Sequence, residues 1–297
     1  MTIAITGASG LIGTALNSSL RSDGIPTIRL VRRPAQAPDE VSWDPARRWV
    51  DIQALADAGV TTVVHLAGAG VGDRRWTDSY KREILSSRVD GTAGIADAVA
   101  GLPGPVSLIC GSAIGYYGDT GDRIVDESAP AGTTFLADVV VQWEGAAAPA
   151  QKAGVRVAFA RTGLVVSADG GAFGKMVPLF KAGIGGRIGP GTQLWSFISL
   201  IDEVRALRFL IDNELEGPFN LVAPHPVTNN QAVKDLAHEL HRPAALPVPG
   251  FALRAALGEF AGEIVASQGV APQRLTAASF NWLQPTLPEA LKAELAS

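Results

Sequence analysis

Gly7 and Gly10 separate the short apolar run Ile3-Ala4-Ile5 from the helical stretch Leu11–Leu20, and a third glycine, Gly13, falls in its first turn. A strand, a glycine turn and a helix N-terminus in that order suit a pyrophosphate. Gly7 permits the tight turn, Gly10 lets the backbone approach the phosphates, and Gly13 allows close helix–strand packing. The unpaired N–H groups and dipole of the helix start supply the anion site. The spacing G-x-x-G-x-x-G differs from the usual G-x-G-x-x-G, so the argument rests on position, between a first strand and a first helix. The residue after the second strand selects the dinucleotide: an acid binds the ribose 2′-hydroxyl of NAD, and Arg takes the 2′-phosphate of NADP. Here the strand Pro26–Val31 ends in Arg32-Arg33-Pro34, with no acid until Asp39. The two arginines point to NADP(H), the alternative being a solvated turn.

Composition excludes several classes. With 25 Lys plus Arg against 29 Asp plus Glu, the net charge of −4 argues against nucleic acid as a main partner. A single cysteine, Cys110, forbids an internal disulfide and points to a reducing compartment. No apolar stretch is long enough to span a membrane, and no signal-peptide pattern opens the chain. A cytoplasmic protein without membrane or metal is expected; His238 and His241 lack the H-E-x-x-H spacing of a zinc site.

The elements that must position the site follow in order. Leu11–Ser22 reads as a helix, Val41 to Trp49 as a hairpin-like excursion, Ile52–Ala58 as a helix and Thr61–Gly68 as a buried strand, with His65 packed inside. A long helix over Ser79–Ala100 precedes the strand Val106–Cys110, which exits into Gly111-Ser-Ala-Ile-Gly-Tyr-Tyr-Gly118. Thr134 to Lys152 reads as one helix, Val155–Phe159 as a sixth strand, Ile201–Asn213 as a helix, Phe219–Val222 as a short strand and Thr228–His241 as a capped helix.

Thr6-Gly-Ala-Ser-Gly-Leu-Ile-Gly13 resembles the cofactor motif of the short-chain dehydrogenase/reductase superfamily. Together with His65-Leu-Ala-Gly-Ala-Gly70, Ser112 to Gly118, Arg161-Thr-Gly-Leu-Val165 and the tail Ala271 to Leu291, it looks like the atypical extended members termed epimerase-family proteins, which carry a C-terminal domain of unknown function. The resemblance implies an α/β, Rossmann-like doubly wound parallel sheet over residues 1–165 and a smaller substrate lobe over 166–297. It implies NADP(H) held by Gly7, Ser9, Gly10, Leu11, Ile12, Gly13, Arg32 and Arg33, by the strand exit Leu66-Ala67-Gly68, and by Arg161, Gly163 and Leu164 near the nicotinamide. One departure is Ser199, where the family often has His; Asp202 remains.

The superfamily's reaction pairs a strand-end Ser or Thr with Tyr-x-x-x-Lys, whose ammonium lowers the phenol pKa. Here the residues four after Tyr80, Tyr116 and Tyr117 are Ile84, Thr120 and Gly121. Alignment on Glu144 puts the expected pair near Leu136 and Val140; alignment on Tyr117-Gly118 puts the usual Ser on Ala113, one place after Ser112. The remaining candidates are Ser112 as donor, Tyr117 as acid/base and Lys175 as anion contact. Residues 167–193 hold eight glycines with Lys175, Lys181 and Arg187. They read either as a loop cradling a substrate pyrophosphate or as a mobile loop with solvated cations. Two functions follow: an NADP(H)-dependent oxidoreductase or epimerase acting on a small polar, nucleotide-linked substrate, or an NADPH-binding regulator without turnover, as some relatives' links to cell division imply.

Overall fold

The computed structural model describes residues 1–244 and 246–295. In chain order the elements are β1 (Thr2–Thr6), α1 (Leu11–Ser22), β2 (Thr27–Val31), β3 (Glu40–Asp44), β4 (Trp49–Val50), α2 (Ile52–Asp57), β5 (Val60–His65), α3 (Asp78–Ala100) and β6 (Ser107–Ala113). Then come α4 (Phe135–Gly145), α5 (Ala148–Lys152), β7 (Arg156–Thr162), β8 (Leu164–Val166), α6 (Gly171–Lys181), β9 (Leu194–Trp195), β10 (Phe197–Ser199), α7 (Leu200–Asp212) and β11 (Gly217–Leu221). The chain finishes with β12 (Val227–Thr228), α8 (Asn229–Glu239), α9 (Gly250–Leu257), α10 (Phe260–Val265), α11 (Gln273–Ala277) and α12 (Leu287–Leu295).

Eight strands form one sheet in the order β11-β7-β6-β5-β1-β2-β3-β4, parallel except for β4. The order reverses at β1, which pairs with β2 on one side and β5 on the other, with Thr6 opposite both Leu30 and His65. Ligands in such sheets bind outside the carboxyl ends of the strands at this switch point. Alternation along β1 sends Ala4 to one face and Ile3 and Ile5 to the other, all fully buried. Ala4 joins Val63, Ile95, Leu108, Val140 and Trp143 beneath α3 and α4; Ile3 and Ile5 join Leu16, Leu20, Leu207 and Leu210 beneath α1 and α7. Helices therefore cover both faces, as near-continuous apolar strands require.

Three local readings differ from the expectation. The helix expected over 134–152 is two, α4 and α5; Gly145 ends the first and Pro149 sits in the first turn of the second, where its missing N–H costs nothing. Within the glycine-rich stretch, Gly171–Lys181 is a helix whose Phe173, Val177 and Phe180 are buried against β8, β10 and α8. Apolar spacing of four and three outweighs the glycines there. Finally, β11 lies in the main sheet beside β7, and α7 packs on that sheet. The chain thus returns to the sheet after residue 166, so the expected division at 165 is not where the sheet ends. The C-terminal segment is tied in by Asp202, whose carboxylate accepts from Leu283 N and Gln284 N at 3.0 and 2.8 Å.

Candidate functional site

The glycine turn forms at the switch point. Gly7 has φ +67°, and a Cβ there would sit 3.0 Å from the backbone of Leu66 and Ala67, so β5's exit presses directly on the turn. A Cβ on Gly13 would come 2.2 Å from Gly7 O, so only glycine lets α1 start this close. Gly10 caps α1 without a side-chain bond, and no acid occupies the first turn. The N–H groups of Leu11 and Ile12 therefore keep their positive end open, beside exposed Ser9 and Gly10. Thr6 staples the two exits: its Oγ1 accepts from Leu66 N and Ala67 N at 3.0 and 3.2 Å and bonds His65 Nδ1 at 2.7 Å. Burial lowers the His65 pKa to about 4, with the Arg88 charge adding to it, so the ring is neutral. His65 is a packed strand residue.

The two arginines after β2 have different surroundings. Arg33 holds Glu40 through two bonds of 2.8 and 2.7 Å, and Arg29 reaches the same carboxylate at 3.1 Å. The hydrogen bond from Arg33, then that from Gln36 N, lowers the Glu40 pKa to about 2. Arg32 is exposed and makes no side-chain hydrogen bond among the described residues. Arg32 is thus the unengaged guanidinium, and Arg33 would have to share its fork with Glu40. Sequence reasoning missed Glu40, although an acid seven residues after Arg33, at the head of the next strand, was visible.

At the end of β6 the candidates form a buried chain of bonds. Ser112 Oγ donates to Glu144 Oε1 at 2.6 Å; Arg161 grips Glu144 through Nε and Nη2, each at 2.8 Å. Arg161 Nη1 donates to the Tyr117 hydroxyl at 2.9 Å, and that hydroxyl donates to Asn220 Oδ1 at 2.8 Å. Burial opposes the Arg161 charge, but hydrogen bonds and charge from Glu144 outweigh it and hold the guanidinium above its ordinary pKa. Tyr117 is 5% exposed, and burial raises its phenol to about 12 despite Arg161. Tyr117, expected as acid/base, has its hydroxyl bonded on both sides, accepting from Arg161 and donating to Asn220. Ser112 likewise spends its proton on Glu144. Glu144 and Asn220 escaped sequence reasoning because nothing local announces partners 32 and 103 residues away, Ser112 for Glu144 and Tyr117 for Asn220.

Leu136 and Val140, at the positions expected for the Tyr–Lys pair, are packing residues: Leu136 joins the Trp76, Tyr80 and Ile84 cluster, and Val140 is buried under the sheet. Lys175 is on α6 rather than in a glycine cradle, and its ammonium donates to Gly72 O at 2.7 Å and pairs with Asp73 at 3.3 Å. It braces the 70–77 loop, where an anion would have to share it with Asp73. Gly163 N and Leu164 N already donate to Leu221 O and Ser196 O at 3.0 and 2.9 Å, and the Arg161 side chain points into the buried chain. Those two N–H groups are therefore taken. A cavity of about 520 Å³, lined by Arg156, Glu216 and Arg274, opens at the opposite, amino end of β7 and β11.

The "NAD dependent epimerase/dehydratase family" model matches residues 3–222, and a "Domain of unknown function (DUF1731)" matches 248–294. An epimerase family protein of Mycobacterium leprae is 45% identical over 291 residues, 97% of this chain and 94% of that one. The chain belongs to the NAD-dependent epimerase/dehydratase family. The chloroplastic epimerase family protein SDR39U1 homolog of Arabidopsis thaliana is 36% identical, covering 99% of this chain and 86% of its own. A crystal structure of the human epimerase family protein SDR39U1 with NADPH superposes with a TM-score of 0.90 at 29% identity, covering all of both chains. In this member of the family, the glycine turn leaves the start of α1 without a side-chain cap, while the polar groups near β6 bond one another. Among the described residues no helix is long and apolar enough to cross a membrane, and no His, Cys, Asp and Glu group could hold a metal ion.

Proposed function

We propose that this epimerase family protein binds NADP(H) across the carboxyl edge of its sheet and serves a small polar, nucleotide-linked carbonyl substrate without a Tyr–Lys proton relay. The carrying observation is the β1–α1 turn, where a Cβ on Gly7 or Gly13 would meet backbone at 3.0 or 2.2 Å and α1 begins with no side-chain cap. That cradle fits a pyrophosphate on the N–H groups of Leu11 and Ile12, and unengaged Arg32 suits the adenosine 2′-phosphate. NADPH in the human relative's crystal structure supports the same cofactor. The nicotinamide, when bound, supplies or accepts hydride. Ser9 and Gly10 would flank the phosphates, Leu66, Ala67 and Gly68 would line the cofactor from β5, and the Gly163–Leu164 exit would offer carbonyls to the nicotinamide amide. Fluorescence titration of NADPH and NADH, followed by steady-state NADPH oxidation against carbonyl and nucleotide-sugar compounds, tests the reading. Equal affinity for the two cofactors would count against Arg32.

A second reading has its own observation. Ser112, Glu144, Arg161, Tyr117 and Asn220 satisfy one another, as a protein reporting NADPH level to a partner would tolerate. Losing a positioned acid/base forfeits about 10²–10⁴ in rate. Tight NADPH binding with no turnover on any compound favours this regulator.

A further inference from the structure

Arg88, on α3, lies beneath the exit of β5. Its Nη1 donates to Ala69 O and Ile84 O at 2.9 and 3.1 Å, which uses both protons on that nitrogen. Its guanidinium lies 5.0 Å over the Trp143 ring. Gly68, in the exposed turn, lies over this guanidinium: a Cβ there would touch Arg88 Cζ at 3.4 Å and Nη1 at 3.5 Å, ordinary contact distances. No carboxylate answers this charge among the described residues; Asp90, two positions on, is taken by Arg48 at 2.7 Å. Burial lowers the Arg88 pKa to about 10, so it remains a cation at neutral pH.

The nitrogens left over are Nε and Nη2. Neither has a hydrogen-bond partner among the described residues, and neither is among the unpartnered atoms sealed from solvent. Those two N–H groups lie on one edge of the guanidinium and form the side-on fork that matches both oxygens of a carboxylate. Arg88 is half-buried, and a charge partly withdrawn from water is usually paired, because leaving it unpaired is costly. An unanswered arginine fork, held flat by Trp143 and two carbonyls beside a bare Gly68, is therefore a receptor awaiting its anion. We infer that Arg88 binds the carboxylate of the substrate at the β5 exit, which makes an oxo-acid or a sugar acid the favoured class. This rests on the proposal that the β1–β5 switch point is the cofactor site. Two oxygens of a phosphate can also span that fork, so the titration sets the two anions against each other.

The test is calorimetric titration of oxalate and of inorganic phosphate into the full chain, with and without saturating NADP⁺. Wild type, Arg88→Lys and Arg88→Met are compared, and NADPH affinity is measured separately by fluorescence. Oxalate should bind wild type more tightly than phosphate and lose about tenfold or more in Arg88→Met, the loss expected for a charged hydrogen-bond pair. Arg88→Lys should fall between, since it keeps the charge without the fork. NADPH affinity should stay within about threefold in both variants, which also reports that they fold. Absence of oxalate binding to wild type, equal binding to Arg88→Met, or phosphate preferred over oxalate overturns the assignment. So does a tenfold loss of NADPH affinity in Arg88→Met, which would give Arg88 to the cofactor's own phosphates. Failure of wild type to bind NADPH defeats the cofactor reading instead, and the oxalate titration without NADP⁺ still tests Arg88.

Discussion

Glu144→Ala tests whether the polar chain at β6 is structural. Glu144 accepts two bonds of 2.8 Å from Arg161 and one of 2.6 Å from Ser112, and the Arg161 and Glu144 side chains are 4% and 13% exposed. Removing the carboxylate leaves a buried guanidinium with only Tyr117 as partner. Breaking such a pair by removing one member costs about 3–5 kcal/mol. At about 2 °C per kcal/mol for a chain this long, the melting temperature should fall by roughly 6–10 °C. The double variant Glu144→Ala, Arg161→Met removes the orphaned charge and should regain part of the loss, because a well-packed apolar replacement of a buried pair is often neutral. The assay is thermal and urea unfolding of the wild type, both single variants and the double variant, closed as a double-mutant cycle. Cofactor affinity should change little. A Glu144→Ala protein that melts with wild type, or a double variant worse than the sum of its singles, would refute the reasoning.

Other perturbations probe separate parts. Gly13→Ala puts a methyl 2.2 Å from Gly7 O, so α1 must retreat and NADPH affinity should drop by about tenfold or more, measured by fluorescence. Arg32→Ala should weaken NADPH by about tenfold to a hundredfold and leave NADH nearly unchanged, whereas Arg33→Ala should act less selectively, because Arg33 is held by Glu40. Glu203 is fully buried with Oε2 unpartnered, and burial raises its pKa to about 8 although Thr162 donates to it. The folded state then keeps a proton that the unfolded chain releases near pH 4.5, so its contribution is intact below that pH and is lost as pH rises through 8. Glu203→Gln should therefore flatten the decline of unfolding free energy between pH 6.5 and 8. His65 has the opposite sign: its folded pKa of about 4 makes stability fall as pH drops from about 6.5.

The fold was legible because its first signal is geometric. Gly7, Gly10 and Gly13 report a turn that only bare Cα atoms can make, and the unbroken apolar runs at β1, β5, β6 and β7 require cover on both faces. Failure of the Tyr–Lys spacing was equally plain, since Leu136 and Val140 cannot carry a proton. Helix α6 was hidden because glycine lowers helix propensity residue by residue, while burial of Phe173, Val177 and Phe180 decides the outcome. Strand β11 looked like part of a second lobe because its partner β7 lies across α7, a pairing no local pattern encodes. Ser112 and Tyr117 carried the right chemistry as residue types, but their availability depended on Glu144, Arg161 and Asn220, and only the folded chain brings those together.

A crystal structure of the protein grown with NADPH tests the central claim most directly. The pyrophosphate should lie on the N–H groups of Leu11 and Ile12 above Gly10, the 2′-phosphate should touch Arg32, and Tyr117 should remain bonded to Asn220 and Arg161. NADPH elsewhere, such as in the cavity beside Arg156 and Arg274, or Tyr117 turned out to meet the nicotinamide, would contradict it.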